Sequence, residues 1–430
     1  MNKPNIIFYF SDQQRADSAG CYGQKLPVTP NLDKVAAEGT LFENAFSCQP
    51  VCGPMRACLQ SGVYATQIGC YRNDIALPLD CKTIAHYLKD AGYDTSYIGK
   101  WHLASDKEHN LKTKPTPKER RGGYDYWRAS DILEFTSHGY NGYVYDENCN
   151  KLKFKGYRAD RINDYAVEYI KNQKHDKPFF MFISQLEPHH QNDRLRFEAQ
   201  RGAKKNFKNY ELPGDLKGTL GDWRLQYSSY LACCNRVDYN FGKLIEALKE
   251  EGLYDNTIII YTSDHGCHFR TRNAEYKRSC HEASIHVPLV ITGGGFTGGG
   301  RVSDLVSLID LPATILDLAG AEIPPHFMGK SLADKKGHDN VFVQISESQI
   351  GRAVRTSKWK YSVTSPNKDC AFSSSYTENF LYDLEADPFE KNNLISKPEY
   401  KEIKENLKSI LVSHMKNAGE PNFEITEKSE

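Results

Sequence analysis

The sequence predicts an α/β protein: a large, mostly parallel or mixed sheet sandwiched by helices, followed by a smaller C-terminal α+β domain. Short continuous apolar runs, typical of strands buried on both faces, recur along the chain. Helical segments alternate with these runs, as in an α/β sheet. A polar stretch over residues 330–340 then precedes consecutive strand-like segments. We therefore place the main domain at residues 1–335 and the smaller domain, with an antiparallel sheet, at residues 336–430.

Each predicted strand is an apolar run bounded by polar residues or glycine. The first, Asn5–Phe10, has no charged side chain, which favours a position at the centre of the sheet. The later predicted strands of the main domain are Asp94–Ile98, Pro178–Ser184, Thr257–Thr262 and Val287–Ile291. Those of the smaller domain are the strand-like stretches Val341–Ile345 and Arg352–Val363.

Turn and capping residues delimit the predicted helices. Thr29 is a suitable N-cap for a helix that has Pro30 at its first position and ends at Gly39. The other predicted helices are Cys81–Ala91, Asp160–Lys174, Leu225–Glu251 and Pro398–Lys416.

Composition excludes several classes of protein. The 430 residues include 55 Lys and Arg against 55 Asp and Glu, so the chain lacks the basic surplus of a nucleic-acid binder. No apolar run reaches the roughly 18 residues of a membrane helix. We therefore expect neither a nucleic-acid partner nor a membrane partner. A local cationic pocket for a small anion remains compatible with zero net charge.

The N-terminus and the cysteines bear on localisation. The Asn5–Phe10 run is too short for a signal-peptide core, and no small-residue cleavage site follows it. We expect a cytoplasmic protein, or an exported one whose signal is absent from this sequence. The 12 cysteines are dispersed without CxxC spacing, which favours free thiols over redox or structural zinc sites.

Polar side chains follow four of the predicted strands. Ligands bind at the carboxyl ends of strands in open α/β sheets, so these residues should share one edge. Asp12, Gln13 and Asp264 are hard oxygen donors for Ca²⁺ or Mg²⁺, and His265 would add a nitrogen. The alternative is that Asp12 caps a loop and His265 lies on the surface. The other residues that follow strands are Lys100, His102, Glu187, His189 and His190.

A second cluster surrounds Cys52. Pro54 suits the first turn of a helix and Gly62 its end, which places Cys52 just before a helix N-terminus. The free N–H groups there favour an anion, and Arg56 lies one turn further on the same side. A thiolate nucleophile is one interpretation. A buried free cysteine is the other, and these facts alone favour it.

The motif Cys52-x-Pro54-x-Arg56, with Gly62 ten residues after the cysteine, resembles the signature of the sulfatases, a family of the alkaline-phosphatase superfamily. In that family the cysteine is converted after translation into formylglycine. The resemblance covers nearly the whole chain. Further matching segments are Pro4–Ile7 with Asp12, Thr29–Asp33, Gly99–Leu103, Pro188-His189, Ser263–Gly266, Lys277 ahead of His281-Glu282, Leu381–Leu384, and Asp387-Pro388 near Asn393-Leu394.

The resemblance implies a hydrolase of sulfate monoesters with a catalytic 1–335 domain. Its metal would be Ca²⁺, with Mg²⁺ or Mn²⁺ as alternatives, and its substrate a sulfated small molecule or saccharide. A maturation enzyme that installs formylglycine at Cys52 would be its protein partner. The metal ligands would be Asp12, Gln13, Asp264, His265 and the modified Cys52.

The resemblance also assigns roles to the charged residues. Lys100 and Lys277 would stabilise charge on the sulfate oxygens. Arg56 and Asp264 would assist attack by the hydrated aldehyde. His189, preferred over His190 because it follows Pro188, or Lys277 would protonate the leaving oxygen. His102 would deprotonate the second hydroxyl, so that the aldehyde forms again and sulfate leaves.

Three positions depart from the common sulfatase pattern. Met55 replaces a serine, Gln13 an aspartate and His265 an asparagine. The Gln13 and His265 pair resembles phosphonate monoester and phosphodiester hydrolases of the same superfamily, so such a hydrolase is the alternative enzyme. A catalytically silent binder of sulfated glycans is the alternative from another class. The basic residues of Asp106–Arg121, and Arg270, Arg272 and Arg278, either contact a glycan or form a solvated face.

Overall fold

The computed structural model describes residues 3–174, 176–367 and 370–428. It contains an eleven-stranded mixed sheet and a five-stranded sheet near the C-terminus. The predicted α/β class with a smaller C-terminal α+β unit is therefore confirmed. Within the described residues, no helix combines the length and the apolar character that a membrane crossing requires.

The strands alternate with helices along the main sheet, as the apolar runs predicted. The strands of the large sheet are β1 (Asn5–Ser11), β2 (Thr40–Phe46), β3 (Asp94–Lys100), β4 (Tyr126–Ser130), β5 (Ser137–His138), β6 (Asn141–Asp146), β7 (Lys151–Lys155), β8 (Phe179–Ser184), β9 (Thr257–Ser263), β10 (Leu289–Thr292) and β11 (Gly300–Ser307). Those of the small sheet are β12 (Asn340–Ile345), β13 (Ile350–Thr356), β14 (Trp359–Ser365), β15 (Ser375–Asp383) and β16 (Glu424–Thr426). The helices are α1 (Pro30–Glu38), α2 (Cys52–Ser61), α3 (Ile84–Asp90), α4 (Leu133–Thr136), α5 (Arg158–Lys171), α6 (Trp223–Glu250), α7 (Glu282–Ile285), α8 (Asp310–Leu318) and α9 (Lys401–Asn417).

Strand β1 lies at the centre of the large sheet. The strand order is β11-β2-β10-β9-β1-β8-β3-β4-β6-β5, with β7 paired to β6. β1 runs parallel to β8 and β9, and β3 runs parallel to β8. β10 is antiparallel to β9 and β2, which makes the sheet mixed. The carboxyl ends of β1, β3, β8 and β9 consequently meet at one edge.

Both faces of β1 are covered, which explains its uninterrupted apolar run. Ile7 and Tyr9 pack in a core with α1, α5 and α6. Ile6, Phe8 and Phe10 face the opposite side and pack in a core with α2, α3 and α8. Alternate side chains of one strand thus hold the two helical layers on opposite faces of the sheet.

The small sheet packs against the main domain through a shared apolar core. β12 to β15 form an antiparallel meander, and α9 buries Leu407 and Leu411 against it. Phe342 of β12 meets Tyr64 of the main domain edge to face, with ring centroids 5.3 Å apart. The expectation of one strand over Arg352–Val363 is wrong, because this stretch is parts of β13 and β14, two antiparallel strands.

The N-terminus of α1 is capped by another helix. Thr29 occupies the N-cap position but makes no capping hydrogen bond with its side chain, contrary to the expectation. The carboxylate of Asp238, in α6, instead accepts the backbone N–H groups of Asn31 at 3.1 Å and Leu32 at 2.8 Å. A long-range contact therefore satisfies donors that the first helical turn leaves unpaired.

Replacing Asp238 by alanine should destabilise the protein. The backbone N–H groups of Asn31 and Leu32 would lose their acceptor and remain buried or poorly solvated. Loss of such a cap costs about 1–2 kcal/mol of unfolding free energy. Urea denaturation of Asp238→Ala and of the control Asp255→Ala, altered outside α1 and α6, measures the difference. Equal unfolding free energies for the two variants would contradict this role of Asp238.

Candidate active site

Four buried side chains converge at the carboxyl edge of the large sheet. Asp12 follows β1, Asp264 and His265 follow β9, and Cys52 is the first residue of α2. One ligand atom from each of these residues lies within 4.8 Å of the others. The predicted convergence of the strand ends and the Cys52 helix therefore occurs in the structure.

Asp12 lies between two buried cations. Its Oδ2 accepts from Lys100 Nζ at 2.9 Å and from Arg56 Nη2 at 3.1 Å. Burial alone would raise the pKa of Asp12, but positive charge, chiefly that of Lys100, outweighs it and holds that pKa well below its usual range. Asp12 is therefore a carboxylate anion with its Oδ1 directed at Cys52, 3.5 Å from the sulfur.

Asp264 has one oxygen bonded and one without a partner. Its Oδ1 accepts the backbone N–H groups of Gln13 at 2.9 Å and His265 at 2.8 Å. Its buried Oδ2 has no hydrogen-bond partner among the described residues. Burial, reinforced by the neighbouring Asp12, raises the pKa of Asp264 to about 7. A second carboxylate with an unpaired oxygen beside Asp12 fits a divalent cation.

His265 presents a nitrogen to the same point. Its Nδ1 lies 2.9 Å from the carbonyl oxygen of Gly266, which selects the tautomer with the lone pair on Nε2. Nε2 is 3.4 Å from Asp264 Oδ2. Burial and then Lys277 lower the pKa of His265 well below its ordinary value, so the ring is neutral. A neutral imidazole and two carboxylates are a donor set that a divalent cation accepts.

Gln13 reaches this cluster through its backbone. It adopts a left-handed conformation, with φ of 74°, that directs its N–H to Asp264. Its side-chain Nε2 lies 3.3 Å from Cys267 Sγ. Gln13 thus lies beside the predicted ligands, and its side-chain amide nitrogen contacts the sulfur of Cys267.

The Cys52 thiol is surrounded by polar groups yet stays protonated. Lys277 Nζ lies 2.8 Å from its sulfur and His265 Nε2 3.2 Å away. Burial and the negative charge of Asp12 nevertheless raise the pKa of Cys52 to about 12. In the absence of a bound cation these two effects disfavour the thiolate, which favours the interpretation of Cys52 as a buried thiol.

Lys277 and His189 form a second pair at the cluster. Their Nζ and Nε2 atoms are 3.4 Å apart. Burial opposes the charge of Lys277, but the neighbouring acidic groups, among them Asp12 and Asp264, outweigh it and raise its pKa. Burial lowers the pKa of His189 well below its ordinary value. Lys277 therefore holds the proton, while His190 is directed elsewhere and stacks on Tyr276 at 4.4 Å.

His102 lies at the same edge, two residues after the end of β3. Its φ is 62°, and its backbone N–H donates to the carbonyl of Asp131 at 2.8 Å. Burial, followed by the charges of Lys100 and Arg56, lowers the pKa of His102 well below its ordinary value. The imidazole is therefore neutral.

Two partners of the buried cations carried no signal in the sequence. Glu134 of α4 accepts from Lys100 Nζ at 3.0 Å and is 9% exposed. Ser184, the last residue of β8, accepts from Arg56 Nη1 at 2.6 Å. An isolated glutamate on a four-residue helix and a serine at a strand end have no motif by which sequence reasoning could find them.

Two of the arginines considered for contact with a glycan instead donate hydrogen bonds to backbone carbonyls of the protein. Arg272 donates to the backbone carbonyls of Glu390 and Phe389 in the C-terminal segment. Arg121 is buried and donates to the carbonyls of Thr116 and Glu147. These two guanidinium groups therefore hold loops together.

The sequence model of the Sulfatase family matches residues 4–321. A model of the C-terminal region of N-sulphoglucosamine sulphohydrolase matches residues 274–417. The chain belongs to the sulfatase family. It is accordingly a sulfuric ester hydrolase, as the resemblance predicted, and the family implies a metal ion and formylglycine in general.

Several named relatives match over almost the whole chain. The uncharacterized sulfatase YidJ of Escherichia coli K12 is 31% identical over 98% of this chain and 89% of its own. An ulvan-active sulfatase of Formosa agariphila is 29% identical, with coverages of 97% and 82%. The N-acetylglucosamine-6-O-sulfatase of Bacteroides thetaiotaomicron is 28% identical, with coverages of 95% and 86%.

Solved structures agree with this assignment. A putative sulfatase from Bacteroides fragilis superposes with a TM-score of 0.87 at 27% identity, over 97% of both chains. A protein in complex with its substrate D-glucosamine-2-N,6-O-disulfate gives 0.78 at 25% identity, over 97% of this chain and 98% of its own. A phosphonate monoester hydrolase of Agrobacterium radiobacter, 21% identical over 97% and 96%, shares the fold with a TM-score of 0.77.

Replacing Arg56 by methionine should strongly destabilise the sulfatase. Asp12 would lose one of its two cations in a fully buried position, and breaking a buried pair costs about 3–5 kcal/mol. The matched control is Arg301→Met, which breaks an exposed pair with Glu43 and should cost about 1 kcal/mol or less. Urea denaturation measures both, and similar losses for the two variants would contradict the account of Asp12.

Proposed function

We propose that this sulfatase hydrolyses a sulfate monoester on a carbohydrate, using a divalent cation and a formylglycine made from Cys52. The observation that carries the proposal is the position of Cys52. Its side chain lies between the donor cluster formed by Asp12, Asp264 and His265 and the Lys277 ammonium, whose Nζ is 2.8 Å from the sulfur. Residue 52 thus stands where a nucleophile beside a bound cation is expected, and the sulfatase family implies formylglycine there.

The proposed metal ligands are Asp12, Gln13, Asp264, His265 and the modified residue 52. The hard carboxylate oxygens favour Ca²⁺, with Mg²⁺ or Mn²⁺ as alternatives. A bound divalent cation supplies Lewis-acid polarisation of a sulfate oxygen, and hydrated formylglycine supplies the nucleophilic oxygen. A maturation enzyme that installs formylglycine is the protein partner this proposal requires.

The chain's own cations would bind and orient the sulfate group. Lys100 and Lys277 are buried ammonium groups whose charge does not have to reorganise during the reaction. Arg56 contributes by holding the carboxylate of Asp12, and its own position is fixed by Ser184 and by the Lys100 carbonyl, 2.8 Å away. The burial of this group of residues excludes water from the reacting bond.

Proton transfer would use the remaining residues. Lys277 Nζ carries a proton 2.8 Å from the Cys52 sulfur, which makes it the proposed general acid for the leaving oxygen. Neutral His189, 3.4 Å from that nitrogen, would orient the ammonium group. Neutral His102 is the proposed base that removes the proton from the second hydroxyl at residue 52.

A saccharide substrate is supported by what relatives of this chain act on or bind. One relative is an N-acetylglucosamine-6-O-sulfatase and another is active on ulvan. A structural neighbour was solved with D-glucosamine-2-N,6-O-disulfate as its substrate. These observations support a sulfated sugar as the natural substrate.

Turnover of sulfate and phosphorus esters tests the proposed reaction. We expect the mature enzyme to release sulfate from sulfated monosaccharides and from 4-nitrophenyl sulfate faster than it hydrolyses phenyl phosphonate esters or bis(4-nitrophenyl) phosphate. Ion chromatography and absorbance measure the products. Predominant turnover of the phosphorus esters would identify a phosphonate monoester or phosphodiester hydrolase instead.

Replacing Cys52 by alanine should abolish turnover, with a loss of at least about 1,000-fold in kcat, because the nucleophile is removed. Binding of a sulfated monosaccharide, followed by calorimetry, should persist. The control is Cys58→Ala, which changes a buried cysteine of the same helix α2 outside the donor cluster. Unchanged turnover in Cys52→Ala would refute the nucleophile assignment.

Calcium should stabilise the folded protein through the donor cluster. A ligand at 100 times its dissociation constant adds about 2.7 kcal/mol to the unfolding free energy. We expect Ca²⁺ to raise the thermal midpoint of chelator-treated protein, and Asp264→Asn to lose most of this increase. Asp255→Asn, altered outside the site, is the control. The same increase in Asp264→Asn as in the unaltered chain would place the cation elsewhere.

A further inference from the structure

A ring of contacts leads from Cys52 to the C-terminal sheet and back to Lys277. The N–H of Gly53 donates to Asn73 Oδ1 at 3.0 Å, and the N–H of Asn73 donates to Glu347 Oε1 at 2.6 Å. Glu347 also forms an ion pair with Arg278, the residue after Lys277. The turn between β12 and β13 is thereby joined to both sides of the reacting position.

Close packing makes this ring specific to the residues present. A Cβ atom on Gly53 would approach Asn73 Oδ1 to 2.8 Å, so a larger residue after Cys52 would displace the Asn73 amide. Ser348, next to Glu347, donates its hydroxyl to the carbonyl of Arg278 at 3.0 Å. The β12–β13 turn therefore contacts both the side chain and the backbone carbonyl of Arg278.

The backbone of this ring is unusual. Arg278, Glu347 and Asp74 have φ values of 66°, 67° and 62°. With Gln13 and His102 they are five of the eleven non-glycine residues of positive φ among the described residues. Strained backbone persists where surrounding contacts over-determine it, and it concentrates at ligand-binding positions. The ring residues Arg278 and Glu347 thus share this feature with the site residues Gln13 and His102.

The positive charge in the ring, that of Arg278, is paired with carboxylates. The Arg278 guanidinium is matched by two carboxylates, Glu347 and Glu275, the latter at 3.2 Å. Its Nε is a buried N–H group without a hydrogen-bond partner among the described residues. The side chains of Arg278 and Glu347 are each 17% exposed. The pair is therefore partly exposed, and its matched charges leave little net attraction for a second anion.

We propose that Arg278 and Glu347 are specificity-determining residues that bind hydroxyl groups of the saccharide leaving group. The inference rests on the proposed function, because it concerns the alcohol half of the same ester. Arg278 directly follows Lys277, the residue proposed to protonate the leaving oxygen, so the alcohol half of the ester would lie near it. The paired charges suit neutral hydroxyls, which both donate and accept, better than a second sulfate group.

The test compares substrates with and without sugar hydroxyls. Glu347→Gln removes the charge and keeps an oxygen that accepts from the N–H of Asn73. We expect kcat/KM for the sulfated monosaccharide that the unaltered enzyme hydrolyses best to fall by about tenfold or more. The value for 4-nitrophenyl sulfate, and inhibition by inorganic sulfate, should change by less than about twofold, since neither ligand has sugar hydroxyls.

Two further variants keep the proposal falsifiable. Arg278→Lys preserves the charge but removes the planar fork, and it should show the same selective loss. Glu43→Gln is the matched control, because Glu43 also pairs with an arginine, Arg301, but lies in β2 outside the ring. It should leave both substrates unchanged. Thermal midpoints of all variants identify any that fail to fold.

The outcomes separate this inference from the proposed function. An equal loss for the sugar and aryl substrates in Glu347→Gln would show a structural role and overturn the inference. Unchanged turnover of the sugar in both Glu347→Gln and Arg278→Lys would overturn it as well. Failure of the proposed function gives a different result, because the unaltered mature enzyme would then release no sulfate from any sulfate ester.

Discussion

The buried ion contacts of Asp12 are the constraint on which the active site depends. A carboxylate in a dry interior stays charged only when cations and hydrogen bonds offset its lost hydration. Lys100 and Arg56 provide those cations from β3 and α2, on different parts of the chain. The parallel arrangement of β1, β8 and β3 brings them together, so the sheet topology and the charge state of Asp12 depend on each other.

The same arrangement determines which chemistry is available at residue 52. The charged form of Asp12 disfavours ionisation of the neighbouring thiol, and burial acts in the same direction. Without a bound cation, an unmodified cysteine is therefore a weak nucleophile at this position. Conversion of that residue to formylglycine would supply a hydroxyl oxygen, a harder donor that suits a cation held by carboxylates.

Sequence reasoning succeeded where a local pattern determines a position in space. Apolar runs identified the central strands, and parallel pairing then placed Asp12, Lys100 and Asp264 at one edge. It failed where a contact depends on distant residues. Asp238 caps α1 from α6, and Glu134 reaches Lys100 from a helix too short to show periodicity. The sequence did not predict the turn at residues 357–358, because the residues of β13 and β14 together have the pattern of one continuous strand.

Formylglycine at Cys52 is the central claim, and a mass spectrum of the peptide containing Cys52 tests it most directly. The protein should be purified from its native host, where its maturation enzyme is present, and shown to hydrolyse a sulfate ester. The account predicts a peptide lighter than the cysteine form by the conversion of the CH₂–SH group into an aldehyde. A peptide with an unmodified thiol throughout, from protein that is fully active, would contradict it.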